Sequence, residues 1–472
     1  MPPRRALAAV AFVAGVLVTA SALADETPTS GTPAAPSPPA GTPYVPSAER
    51  GRRAILEKAF LPPMLTDAVF DEIWRSWPEP YRTKAEALPA AERRRMAFDR
   101  YGLTPREDDP KKPLQFVVDE KGTWTLNCLA CHTGQLEGKT IPGLANAHFA
   151  FQDLVDDIDA TAEITKDVAS RIRLAPWHAV PLGGTHGTTN AVVFGVALGY
   201  LRNEDLTLRF PPGRPKLVHH DLDAPAWWNV RKRPRFYLDG AVKKGHRAIM
   251  QFVLVPQNPA DRLKGWEDDF KDVLAYLESL TPPRWTRPVD AALAARGKVA
   301  FEKTCATCHG TYGDPPTYPC RAVPLAQVGT DPVRHGAIPR EERVRFAASW
   351  LNDGRTKDVD VDPVGYVAPP LDGVWATAPY FHNGSVPTLW HVLHPEARPA
   401  AWRVRDAKGF DAERVGLDVE TAADVPVDVP GGWDLRAWFD TKRPGKSAAG
   451  HAFPSTLSED DRRAVLEYLK TL

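Results

Sequence analysis

Two five-residue runs bring together side chains able to do chemistry: Cys128-Leu129-Ala130-Cys131-His132 and Cys305-Ala306-Thr307-Cys308-His309. Each is a C-x-x-C-H, the sequence signature of c-type haem attachment. Two thiols three positions apart on a short turn can reach the two vinyl groups of one haem and form thioethers. The histidine that follows offers iron a proximal imidazole. A single C-x-x-C would suit a redox dithiol or half of a zinc site as well. A histidine directly after the second cysteine, twice in one chain, favours haem. The expectation is therefore two covalently bound haem c groups (iron), one on Cys128, Cys131 and His132, the other on Cys305, Cys308 and His309. The fifth cysteine, Cys320, has no partner left and reads as a small buried apolar residue.

The sixth iron position is constrained by methionine. The chain has four, Met1, Met64, Met96 and Met250, and none follows His309. His/Met ligation, which raises a cytochrome's potential, is closed to the second haem from its own segment, so a lower-potential His/His centre is expected. The histidines beyond His309 are His335, His382, His391, His394 and His451. In a class I cytochrome c the distal ligand comes from the loop before the closing helix, which favours His451, with His382 as the alternative. For the first haem the candidates are His148, His186, His246 and Met250, or an open site. His148 and His246 are the candidate catalytic side chains.

The elements that must hold these residues follow from pattern. Ala90 to Tyr101 reads as a helix whose Glu92 to Arg95 form a solvated face. Leu114 to Leu126 reads as a strand pair turning at Asp119 to Gly122 and delivering the chain into the first motif. Leu274-Ala275-Tyr276-Leu277-Glu278-Ser279-Leu280 is echoed by Leu466-Glu467-Tyr468-Leu469-Lys470-Thr471-Leu472, the second preceded by the capping box Ser458-x-x-Asp461. A helix over Asp290 to Glu302 runs straight into Cys305. Helix, haem motif, long loop and closing helix is the plan of a class I cytochrome c domain. The fold class expected is mainly α, with two such haem domains at 49–285 and 286–472, the first elaborated by long loops and a β-hairpin.

Ahead of them, Arg4 and Arg5, an apolar run to Ala20 and Ala22-Leu23-Ala24 read as a signal peptide at 1–24, and 25–48 as a Pro/Ser/Thr-rich tether. That predicts a periplasmic or secreted protein with no stable membrane span once the signal is removed. Lys plus Arg equals Asp plus Glu at 59 each, so no net field favours nucleic acid. The 47 prolines point to long pinned loops. Trp227-Trp228 and Tyr237 read as packing residues that could also line the first haem or assist electron transfer. His219-His220-Asp221 reads as surface or supporting residues, and Gly183 to Asn190 as a tight backbone path near the haem.

The chain resembles the bacterial di-haem cytochrome c peroxidase/MauG superfamily, and in pattern the rubber-oxygenase-like di-haem cytochromes. The likeness covers roughly 100–472. It rests on the two haem motifs, on Phe236-Tyr237-Leu238-Asp239-Gly240, and above all on Pro369-Pro370-Leu371-Asp372-Gly373-Val374-Trp375 running into Ala378-Pro379-Tyr380-Phe381-His382-Asn383-Gly384. The resemblance implies a first, catalytic haem, a second that relays electrons, and a distal histidine at the spacing of His148. It also implies a late Gly-His ligand such as Gly450-His451. The peroxidases' Trp-Asp-Gly becomes Leu238-Asp239-Gly240, and Val255 to Pro259 stands where their acid/base Glu is expected. The function expected is an oxidoreductase activating peroxide or dioxygen at the first haem; the alternative is an electron-transfer cytochrome without its own reaction. The partner expected is a small redox protein or a quinol-linked donor or acceptor.

Overall fold

The computed structural model describes residues 44–178, 182–192, 198–210, 220–429 and 432–472. The signal peptide, most of the tether and His219 lie outside them. The chain is mainly helical with small antiparallel sheets. The helices that organise it are α1 (Ala48–Glu57), α2 (Ala90–Tyr101), α3 (Phe151–Ile164), α4 (Glu267–Ser279), α5 (Ala291–Thr304) and α6 (Glu459–Leu469). The strands needed below are β1 (Phe116–Val118), β2 (Thr123–Leu126), β3 (Ala401–Val404) and β4 (Val419–Ala422).

One helix pair occurs twice. Gly51 of α1 lies against the Asp272–Val273 backbone of α4, and Gly297 of α5 against the Ala464–Val465 backbone of α6. At either glycine a Cβ would overlap the facing carbonyl, so only a residue without a side chain permits the crossing. The register of the repeat is strict. Ile55 and Phe301 follow the two glycines by four residues, one turn on, and both are buried. Val273, Tyr276 and Leu277 of α4 correspond to Val465, Tyr468 and Leu469 of α6, and all six are buried. Each closing helix opens on three acidic residues, Glu267 to Asp269 and Glu459 to Asp461, which suit the positive end of a helix. The opening helix of the first pair was missed in sequence, although Ala48-x-Arg50-Gly51-x-x-Ala54 repeats Ala294-x-Arg296-Gly297-x-x-Ala300.

The tether also ends earlier than residue 48. The Tyr44 hydroxyl and the Ser47 amide both donate to Asp272 at 2.6 Å, and Arg50 forms an ion pair with the same carboxylate at 2.7 Å. Between α1 and the first haem motif lie α2 and the hairpin β1–β2, with Phe116 opposite Leu126. The face of α2 is not wholly solvated as expected. Arg94, 12% exposed, binds Asp67 and Asp71 and lies over the rings of Phe70 and Trp124. In the second half, β3 pairs with β4 and with Phe439–Asp440. That sheet borders the apolar cluster built on Phe301, Trp375, Leu389 and Tyr468.

Candidate haem sites

The second motif follows α5 without a break, because Cys305 is the C-cap of that helix and Cys308 and His309 bond back to its carbonyl. His309 Nδ1 donates to the Pro369 carbonyl at 2.9 Å. That hydrogen bond fixes the tautomer and leaves Nε2 unprotonated, as a metal ligand requires. Facing it is His451, with the two ring centres 6.2 Å apart. Two metal–nitrogen bonds of about 2 Å, plus about 1 Å from each ring centre to its nitrogen, span about 6 Å, so one iron fits between these rings. Burial holds His451 at about 3, helped by His309 and Arg398, and burial also lowers His309; both imidazoles are neutral.

The loop carrying His451 is pinned. The His451 amide donates to the Val328 carbonyl at 2.6 Å, and Gly450 presses on the Gly329–Thr330 backbone. Arg398 donates to the carbonyls of Ala448 at 2.7 Å and Gly450 at 2.6 Å, and to that of His391 at 3.1 Å. Phe381 and Phe453 pack on the His451 ring at 5.8 and 5.4 Å. The other late histidines are engaged elsewhere. His335 binds the Pro363 carbonyl, His391 the Thr388 hydroxyl, and His394 the Glu459 carboxylate. His382 turns to stack on Tyr366 at 4.2 Å.

The first motif is held from both sides. Asn127 and Asn146 tie its backbone to Leu114, Gly102 and Ala130. Leu129 packs with Ile55, Trp227, Val273 and Tyr276 against the α1–α4 pair. The His132 ring stacks on Trp227 at 4.5 Å and 23°. Burial lowers His132 to about 4, against the pull of the Pro225 carbonyl, and raises the Cys128 and Cys131 thiols to about 11. Trp227 therefore packs on His132, and the residues that follow it reach the segment that holds His309. Trp228 Nε1 donates to the Asp372 carbonyl at 2.8 Å, and Asn229 Nδ2 to that of Pro370 at 3.1 Å, one residue from the Pro369 that holds His309.

His148 and His186 come together, whereas His246 does not join them. The Gly183–Asn190 loop passes over the His148 segment: Gly187 packs on Ala147 and donates to the Phe149 carbonyl, while the Thr189 hydroxyl meets the Cys131 thiol. Burial lowers His148 to about 4, with His186 the next cause. His186 Nε2 lies 2.8 Å from Asp153 of α3, which also takes Arg436 at 2.5 Å; the His186 ring packs on Trp433 at 4.3 Å. Burial alone would raise the Asp153 carboxyl, but His186 and Arg436 hold it below its usual value. His246 opens a short helix and binds Glu267 at 3.1 Å. Met250 is fully buried among Leu254, Phe270 and Leu351. His220 and Asp221 are buried and not at the surface; Asp221 pairs with Lys446 at 2.5 Å. Among the described residues no group of three or more His, Cys, Asp and Glu could hold a bare metal ion. Cys320 is only half-buried and not enclosed as expected. Arg436 and Trp433 were missed in sequence, lying some 280 residues from Asp153 with no motif to mark them.

A family described as RoxA-like, cytochrome c-like, matches residues 365–403, the stretch that contains Pro369, Phe381, His382 and His391. An uncharacterized protein of Sinorhizobium fredii (strain NBRC 101917 / NGR234), y4iM, is 30% identical over 284 residues, 54% of this chain and 62% of that one. A second from the same organism, y4iJ, is 29% identical over 260 residues, 41% of each. Cytochrome c peroxidase Ccp of Escherichia coli (strain K12) is 24% identical over 244 residues, 47% of each. The chain thus spans 41% to 62% of the length of these curated relatives. The likenesses are to cytochrome c-like and cytochrome c peroxidase sequences over part of the chain. Proteins of this kind are usually periplasmic, and no described helix is long and apolar enough to cross a membrane.

Proposed function

We propose that this chain is an exported two-haem oxidoreductase built on two class I cytochrome c-like units. The first haem, on Cys128, Cys131 and His132, activates peroxide or dioxygen. The second, on Cys305, Cys308, His309 and His451, exchanges electrons with a small redox protein or a quinol-linked donor. Haem bound at these places supplies one-electron chemistry. The observation that carries the reading is the difference between the sites. His309 faces a pinned imidazole at 6.2 Å, whereas His148 lies in a loop beside a His186–Asp153–Arg436 network.

The protein's own groups have distinct tasks in this reading. His148 is the distal group that guards or vacates the first site. His186, oriented by Asp153, is placed to move a proton between oxygens, the task for which the family's Glu has no counterpart here. The Trp227–Asn229 run, stacked on His132 and bonded to the Pro370 and Asp372 carbonyls, gives electrons a short route between the two motifs. Titration of cyanide and peroxide against the fully oxidised and half-reduced protein, followed optically, tests the reading. Ligand should bind one haem, in the half-reduced protein at the least. If neither redox state binds either ligand, the enzyme reading fails and an electron-transfer cytochrome remains.

A further inference from the structure

Tyr101, the last residue of α2, is fully buried, and its hydroxyl is partnered unlike those of Tyr366 and Tyr380. Those two donate to the backbone carbonyls of Asp331 and Val374, which cannot take up a proton. Tyr101 instead donates to the Asp157 carboxylate of α3 at 2.6 Å, within the reach that a proton-accepting base needs. The same phenol oxygen accepts from Trp77 Nε1 at 2.7 Å. A phenol gives up an electron readily only when its proton can leave in the same event. Here the carboxylate can take the proton, and the indole N–H steadies the oxygen left behind.

Packing ties this phenol to the first motif. Tyr101 and Trp77 belong to the apolar cluster that includes Ala130 and has Cys131 packed against it. Asn146 Nδ2 donates to the carbonyls of Gly102 and Ala130, at 2.8 and 3.1 Å, and so joins the residue after Tyr101 to the middle of the motif. Gly102 also lies against the His148 carbonyl. Trp433, which packs on His186, meets the Tyr101 ring at 6.1 Å. Positive charge is disfavoured on Trp433, because the Arg100 guanidinium lies 3.8 Å from its ring centre. On Tyr101 the departing proton would keep the charge balanced. The charged groups facing Asp157 are Arg100 at 3.8 Å, too far for a hydrogen bond, and Asp153 and Asp156 of its own helix. Both of those aspartates pair with Arg436, and Asp153 also with His186. Burial raises the Asp157 carboxyl to about 6, against the pull of Tyr101 and Arg100, so it is ionised at neutral pH.

We propose that Tyr101 is a one-electron donor to the first haem site and that Asp157 takes its proton. The inference rests on the two-haem reading, with hydrogen peroxide as the oxidant. Cleaving one peroxide to two waters consumes two electrons, and two protons drawn from solvent. When the second site has delivered only one of those electrons, Tyr101 supplies the other. Its electron passes to the first site, its O–H bond breaks, and the proton moves to Asp157 Oδ2. The phenoxyl radical left on Tyr101 is reduced when the donor's next electron arrives, and the proton returns from Asp157 to the phenol oxygen.

The test mixes excess hydrogen peroxide with fully oxidised and half-reduced holoprotein, follows the haem spectrum, and reads frozen samples by EPR. Wild type should give a free-radical signal that ring-deuterated tyrosine narrows and ring-deuterated tryptophan leaves unchanged. Y101F and D157N should lose that signal while their haem spectra still respond to peroxide. Y81F, at a partly exposed tyrosine, should keep it. If the haem spectrum responds but wild type gives no tyrosyl signal, or Y101F or D157N retains it, the proposal is overturned and the peroxide reading survives. A haem spectrum that responds in neither redox state overturns the peroxide reading, and the proposal with it. Should either variant fail to load haem, ENDOR of wild type carrying isotope-labelled indole nitrogen decides. Coupling of that nitrogen to the tyrosyl radical identifies Tyr101, whose oxygen is bonded to Trp77, and its absence refutes the assignment.

Discussion

At the scale of single residues, His451 and His186 are held by different partners. His451 has a carbonyl partner for its amide, a guanidinium clamp on its loop and two phenylalanines on its ring. Its replacement should leave a hole that no neighbouring histidine fills, because His335, His391 and His394 are hydrogen-bonded elsewhere and His382 is stacked on Tyr366. His451→Ala is therefore expected to turn one low-spin haem high-spin or to admit cyanide there, while His382→Ala leaves the low-spin signal intact. EPR of the two ferric variants checks this, and the opposite pattern would reassign the ligand. His186 works through position and Asp153. His186→Gln should slow reaction with peroxide by about 10²–10⁴-fold, the usual worth of a placed proton carrier. Cyanide affinity in the same variant should change little, since ligand entry needs no proton moved between oxygens. Equal loss of both would make His186 a structural residue.

At the scale of elements, the two helix crossings decide where the haem motifs sit. Replacing glycine by alanine in an exposed helix gains about 1 kcal/mol. At Gly51 and Gly297 the sign reverses, because the added methyl overlaps a carbonyl of the partner helix and pushes the helices apart. Gly297→Ala should cost about 1–3 kcal/mol, the range for overpacking a tight contact. It should also loosen Cys305, which caps the same helix. A thermal melt of the haem-loaded variant checks it. An unchanged or raised Tm would mean that the crossing is less tight than the backbone contact implies.

At the scale of the molecule, the halves are joined through charge as well as through tryptophan. Arg436, from the second half, binds Asp153 and Asp156 of α3, and Lys446 binds Asp221. The Asp153 carboxyl is lowered in the folded protein, although its burial works the other way. Its contribution is therefore complete above the unfolded value of about 3.9 and is lost as pH falls through the folded one. Asp153→Asn should be less stable than wild type at pH 7 by about 1–3 kcal/mol, and the gap should close below about pH 4. Melting temperature measured across that range tests the sign. A gap that persists at pH 2 would locate the effect in packing.

What the sequence determined by itself was local. The two C-x-x-C-H motifs were legible because both cysteines and the histidine of each lie within five residues. The hairpin β1–β2, helix α2, the two closing helices and the Ser458 cap were legible because periodicity and capping act over one or two turns. Helix α1 was missed, although its Arg-Gly-x-x-Ala repeats that of α5, because its glycine has meaning only against α4, more than 200 residues away. Tertiary structure alone decided which histidines meet. His451 reaches His309, His186 reaches Asp153 and Arg436, and His246 is taken by Glu267. Such meetings follow from how long loops fold over a shared core, and nothing in the identity or spacing of a residue encodes its partner across that distance.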